Sequence, residues 1–92
     1  GAPAHLFMHS SGTLISTFSH RMKPYGIWAI FSKDGGETWS DASVIFEGKD
    51  TDDLGYPSTV ELEDGSMITV FYAHRTKDEP AIIMGQKWRF EE

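Results

Sequence analysis

The stretch Ser32-Lys33-Asp34-Gly35-Gly36-Glu37-Thr38-Trp39 separates two short runs rich in β-branched and aromatic residues, one ending at Ser32 and one beginning at Ala42. Its residue types describe a tight turn. A short acid and hydroxyls at Asp34, Ser32 and Thr38 saturate the backbone donors that a chain reversal leaves unpaired, Gly36 takes a positive φ, and Trp39 pins the turn onto the sheet beneath it. All of these roles fix a hairpin and none requires a substrate, so no catalysis is assigned to the segment. The same alternation extends outward in both directions. Ala4 to Met8, Thr13 to His20, Gly26 to Ser32, Ala42 to Glu47, Thr59 to Glu63, Ser66 to His74 and Ala81 to Lys87 read as strands, separated by clusters of Gly, Asp, Pro and Ser. No window carries a helical stripe of apolar residues. Ser10-Ser11-Gly12 and Asp64-Gly65 read as hairpin connections, the second as the type I′ dipeptide that suits the twist of paired antiparallel strands.

An internal repeat organises these strands. Pro3-Ala4 through His20-Arg21 lines up with Pro57-Ser58 through His74-Arg75 at a spacing of 54 residues, and Lys23 continues the match with Lys77. The first unit holds four candidate strands and the second three. A period of about fifty residues with four strands each is the pattern of a β-propeller blade. The expected fold is therefore all-β, with antiparallel four-stranded blades, one over residues 1–53 and a second, incomplete one over 54–92.

Composition limits the functions open to such a chain. Its 92 residues amount to one domain at most, and a domain of this size buries only about 60% of its unfolded surface. There is no cysteine, hence no disulfide framework and no thiolate metal site. A net charge of −6 with eight Lys plus Arg argues against a nucleic-acid or anionic-membrane partner. The longest purely apolar stretch, Ala81 to Met84, is too short for a membrane span or a signal-peptide core. An aromatic content of 13% implies large flat surfaces to bury or present.

The turn segment matches every fixed position of the Asp-box, Ser-x-Asp-x-Gly-x-Thr-Trp, through Ser32, Asp34, Gly36, Thr38 and Trp39. With that box inside a four-strand repeat, the chain resembles the sialidase-like, bacterial neuraminidase repeat superfamily of six-bladed propellers over essentially its whole length. Asp53-Leu54-Gly55-Tyr56-Pro57-Ser58, then Leu62-Glu63-Asp64-Gly65 and Val70-Phe71-Tyr72, looks like the signature of the last full blade, and Lys87-Trp88-Arg89-Phe90 looks like the final strand. The resemblance implies a carbohydrate-related, secreted or periplasmic protein. In true sialidases the Tyr at the position of Tyr56 is the nucleophile, activated by a Glu from an earlier blade; a phenol, titrating near ~10 in water, needs such a base. Sialidases also hold the substrate carboxylate with three arginines, for which the planar guanidinium is suited. This chain has Arg21, Arg75 and Arg89, none in a matching context, and Ala73 stands where an acidic residue is common after the Tyr. The catalytic set is incomplete, so activity from this chain alone is not expected.

In the propeller frame the loop before Tyr56 leads into the innermost strand, near a central pocket. Asp52, Asp53 and Arg75 are accordingly the candidate ligand contacts beside Tyr56, the ligand being a sugar. Asp50-Thr51-Asp52-Asp53-Leu54-Gly55 with Glu61 imitates a calcium loop, but Leu54 occupies a ligand position and no helices flank it, so neither metal nor cofactor is expected. His20 and His74, one in each unit, are read as structural. Two blades leave apolar faces uncovered, and such units need neighbours. Three chains would restore six blades, making a cyclic homotrimer the first expectation and a strand-swapped dimer the second. Two functions remain open: part of a sialidase-like glycoside hydrolase with Tyr56 as its nucleophile, or a non-catalytic carbohydrate-binding or interaction module assembled as an oligomeric ring.

Overall fold

The computed structural model describes residues 4–48, 54–74 and 78–90. It is all-β. Strands β1 (His5–Met8), β2 (Leu14–His20), β3 (Gly26–Ser32) and β4 (Ser43–Glu47) form one antiparallel sheet in chain order, and β5 (Gly55–Glu61), β6 (Met67–Ala73) and β7 (Ile82–Trp88) form a second. Six of the seven strands fall within a residue or two of the boundaries expected from the sequence. The exception is β5, which begins at Gly55 rather than Thr59. Gly-Tyr-Pro reads as loop because Pro cannot donate to a ladder, yet Pro57 lies where the β5–β6 register shifts, between Gly55 and Ser58, and no such bond is required of it.

The first hairpin of each sheet is built alike. Met8 lies opposite Leu14 and Glu61 opposite Met67, each pair framing a five-residue connection. In one, the His9 N–H donates to the Thr13 carbonyl (2.8 Å) and Gly12 N–H to the His9 carbonyl (2.9 Å); in the other, Leu62 N–H donates to Ser66 (2.7 Å) and Gly65 N–H to Leu62 (3.0 Å). Gly12 and Gly65 both have positive φ, at 92° and 86°, while Asp64 does not. The Asp64-Gly65 connection is thus not the expected type I′ turn, which needs two successive positive-φ residues.

This equivalence also corrects the repeat. Corresponding positions of the two first hairpins are 53 residues apart, not 54, and in the following strand, where Leu14 faces Ser32 and Met67 faces Trp88, they are 56 apart. His20 therefore corresponds to Ala73 and Arg21 to His74. The difference is decisive because a one-residue slip in a strand exchanges its two faces.

His5, Phe7, Ile15, Thr17, Ile27, Ala29 and Phe31 of the first sheet face the second, whose Thr59, Met67, Thr69, Phe71, Ala73, Met84 and Trp88 face back. Under the corrected equivalence these two sets are not counterparts. Each is the counterpart of the other sheet's outward face, so the sheets stack front to back. Two apolar clusters fill the contact, one of Ile27, Leu54, Phe71 and Ala73, the other of Ile15, Ala29 and Met67. Between the sheets runs a polar seam. Trp88 Nε1 donates to Thr69 Oγ1 (2.8 Å), Thr69 and Thr59 hydroxyls are 2.8 Å apart, and Thr59 and Thr17 hydroxyls 3.1 Å. Thr59 N–H donates to His5 Nδ1 at 2.9 Å, which places the His5 ring proton on Nε2. Every member of the seam is satisfied, as burial demands.

Candidate functional site

Antiparallel order sends successive connections to opposite ends of the molecule. His9 Nε2 donates to the Gly65 carbonyl (2.8 Å), and Glu61 accepts from Ser10 N–H (2.8 Å) and Ser10 Oγ (2.5 Å). The 9–13 and 62–66 turns therefore share one end, to which the 33–42 turn also belongs. Residues 21–25, Gly48, Leu54, His74 and residues 78–81 lie toward the other end, with Tyr56.

Tyr56 is the residue with the most distinctive backbone. Its φ is 51°, the one positive value at a non-glycine position among the described residues. A bulky residue in that region costs about 1–3 kcal/mol, and such strain concentrates at binding and catalytic sites. Gly55 beside it has φ 149°, and a Cβ there would lie 2.8 Å from Arg21 Nη2 and 3.2 Å from Ser19 Oγ. Leu54, just before, is buried in the apolar cluster, which excludes it as a calcium ligand and anchors the approach to Tyr56. The Tyr56 side chain is 64% exposed and lies against Tyr72, with ring centroids 5.6 Å apart at 33°. Arg21 reaches across from the first sheet so that Nη2 donates to the Tyr72 hydroxyl at 3.3 Å. Ser19 Oγ is buried beside this junction and has no hydrogen-bond partner among the described residues. Two tilted phenols and a guanidinium thus converge at this end of the molecule.

Arg21 and Tyr72 were not among the residues singled out as ligand contacts. Arg21 carried only the signal of recurring before a loop, and the mismatched repeat paired it with Arg75. Asp52, Asp53 and Arg75 lie outside the described residues. Arg89 is at the opposite end from Tyr56, its Nη2 3.1 Å from Asp64 Oδ2, so the structure separates it from Arg21. The histidines brace loops. His20 Nδ1 donates to the Pro24 carbonyl (2.7 Å) with its ring stacked 3.7 Å from Trp28, and His74 Nδ1 donates to the Glu79 carbonyl (2.6 Å).

The 33–42 turn is wired as its residue types dictate. Asp34 Oδ1 accepts from Ser32 Oγ (2.8 Å) and Thr38 N–H (2.9 Å), Oδ2 accepts from Thr38 Oγ1, and Gly36 N–H donates to Ser32 Oγ (2.8 Å). Gly36 has φ 97°. Trp39 Nε1 donates to the Gly36 carbonyl at 3.1 Å, which ties the ring to its own turn. The hydrogen bonds from Thr38, side chain first, then backbone, and from Ser32 hold the Asp34 carboxyl down at about 2. Asp64 is likewise held at about 2, chiefly by the Ser66 hydroxyl and N–H and then by the Arg89 charge, and Glu61 is lowered by the Ser10 hydroxyl and N–H. These three acids are committed to turns at the end away from Tyr56. At their end lies an open groove of about 730 Å³, lined by Phe31, Ser40, Val44, Gln86, Trp88 and Phe90. Its size does not make it the site, because the strained and converging groups are elsewhere. No three metal-ligating side chains converge among the described residues.

Comparison with family models, with characterised proteins and with solved structures finds no match to this chain.

Proposed function

We propose that the chain is part of a sialidase-like Asp-box propeller and that its Tyr56 end binds a sugar carrying a carboxylate. The observation that carries this reading is Tyr56 itself: an exposed tyrosine held at φ 51°, against Tyr72, whose hydroxyl is hydrogen-bonded to Arg21. Exposed aromatic faces suit the apolar face of a sugar ring, and a guanidinium suits its carboxylate. Two antiparallel sheets stacked front to back, with the Asp-box turn at the end away from Tyr56, support the propeller reading. Tyr56 stands where the superfamily places its nucleophile. The partially assembled site binds, and the base that would activate the phenol comes from elsewhere.

The second reading, a binding module with no chemistry of its own, is favoured by the fate of the acids. Asp34, Glu61 and Asp64 all accept hydrogen bonds in turns at the other end. The test is titration of the intact chain with N-acetylneuraminic acid and, separately, galactose, followed by saturation-transfer NMR. Binding of the acidic sugar alone is expected, with a loss of about ten- to hundredfold in Arg21→Gln, the range for one charge-assisted hydrogen bond. Equal binding of galactose, or an unaffected Arg21→Gln variant, would overturn it. Hydrolysis of a fluorogenic sialoside that vanishes in Tyr56→Phe with the fold intact would establish the enzyme reading; retained binding without turnover in both proteins would establish the module.

A further inference from the structure

We infer that the chain carries a second site where the 9–13 and 62–66 turns meet, with Ser11 as a nucleophile and His9 as its general base, taking the acyl group of a small ester. His9 closes the first turn, but it touches more than a turn requires. Its Nδ1 lies 2.9 Å from Ser11 Oγ and 3.1 Å from Ser11 N, while its Nε2 lies 2.8 Å from the Gly65 carbonyl oxygen and 3.5 Å from Glu61 Oε2. A hydroxyl within reach of an imidazole whose far nitrogen is held by a third group is the arrangement that activates a serine. The three side chains come from the 9–13 turn and the end of β5, so the site is built between the two sheets and not on the outward face of either.

The proton positions follow from the partners. A carbonyl oxygen only accepts, so Nε2 carries the ring proton, and Nδ1, which accepts from the Ser11 N–H, is bare. The Ser11 hydroxyl therefore donates to Nδ1, and the Thr13 hydroxyl, 3.1 Å away, donates to the Ser11 oxygen. His9 is buried, its ring plane fixed edge-on against Phe90 at 4.9 Å, whereas Ser11 is exposed. A substrate thus reaches the oxygen and not the base. The Ser10 hydroxyl and N–H hold Glu61 in its ionised form, which places a negative charge beside the imidazolium that forms when His9 takes the proton. A hollow of about 210 Å³ opens at Ser11, lined by Gly12, Thr13 and Lys33. It is smaller than the hollows that hold drug-sized ligands, so the acyl group is short, and Lys33 supplies positive charge for the oxyanion. Ser11 Oγ adds to the ester carbonyl carbon as its proton passes to Nδ1. The bond to the alcohol oxygen then breaks, and the alcohol leaves with that proton. Water adds to the acyl carbon in the same way, giving its proton to Nδ1, and Ser11 recovers that proton as the carboxylic acid departs.

The test is incubation of the intact chain with p-nitrophenyl acetate, following nitrophenolate release and locating any retained acetyl group by peptide mass spectrometry. Acetyl on Ser11 and release above the buffer rate are expected. Ser11→Ala keeps the N–H bond to Nδ1, and with it the turn, but should release nitrophenolate only at the buffer rate. His9→Gln should slow acetylation of Ser11 about a hundredfold or more, the contribution of a positioned base. Should His9→Gln lose its circular-dichroism signature of folding, the wild-type label and the Ser11→Ala rate decide the matter between them. Acetyl found on lysines, on Ser10 or on other histidines with Ser11 unmodified overturns the inference. So does a Ser11→Ala variant as fast as the wild type, or a folded His9→Gln variant acetylated at an unchanged rate. This site does not rest on the sugar-binding reading: Ser11→Ala should bind N-acetylneuraminic acid as the wild type does, so either result can fail while the other stands.

Discussion

Asp34 shows how far one side chain settles a local structure. It accepts from Ser32 and from both the N–H and the hydroxyl of Thr38, and those bonds keep it ionised down to about pH 2. An aspartate in an unfolded chain takes up its proton near pH ~4. The unfolded state therefore binds more protons over that interval, and the contribution of the folded carboxylate, complete above about pH 4, is lost as pH falls through about 2. Asp64 adds in the same direction over the same window. The melting temperature should be flat from neutrality to about pH 5 and fall between about pH 4 and 2. Asp34→Asn should melt lower at neutral pH and with a shallower acid slope; an unchanged slope would show that the turn is not the acid-sensitive element. Gly55 is the second residue whose identity is fixed by its surroundings. Gly55→Ala would strain a backbone at φ 149° and set a methyl 2.8 Å from Arg21 Nη2. The expected cost is about 1–3 kcal/mol, read from urea unfolding. Under the proposed sugar binding, displacement of Arg21 from Tyr72 should also weaken the response to the acidic sugar.

At the scale of elements, the polar seam deserves a direct experiment. Thr59→Val keeps the shape of the side chain but removes the bond that Thr17 makes across the sheets and the one that Thr69 makes within its own sheet, leaving Thr69 only the bond from Trp88. A loss of about 1–3 kcal/mol in the urea midpoint is expected, with the m-value unchanged. A neutral result would mean that the threonines bond adequately to one another without it. Strand positions were legible in the sequence because alternation and turn residues agree, and the 32–39 turn was legible because its hydrogen bonds are local. Two features were not. Pro57 concealed the first residues of β5 because a proline disqualifies a strand only where its missing donor is needed, and at a bulge it is not. The repeat misled through its best letters: Pro3 with Pro57 and His20-Arg21 with His74-Arg75 align at 54 residues, but strand faces obey hydrogen-bond register, and register gives 53. Arg21 beside Tyr72 was invisible for a related reason, since it depends on how two sheets separated by fifty residues are stacked.

At the scale of the whole molecule, the two ends are built differently. One is joined by hydrogen bonds between turns, from Ser10 to Glu61 and from His9 to Gly65. The other carries Tyr56, Tyr72 and Arg21 on the flanks of its connections. Protection factors for hydrogen exchange at pH 3 should therefore fall first in the 9–13, 33–42 and 62–66 segments, while amides of residues 21–25 keep their neutral-pH protection relative to the mean. A uniform fall in protection would contradict this. The arrangement also separates what holds the two sheets together from the proposed sugar site. Residues 21–25 and 78–81 sit at the end away from the Ser10–Glu61 and His9–Gly65 bonds, and Arg21 borders the tyrosine pair. If the proposed sugar site holds, they are the positions at which selection, in nature or in a randomised library, could exchange one ligand for another while the stitched end keeps the scaffold constant.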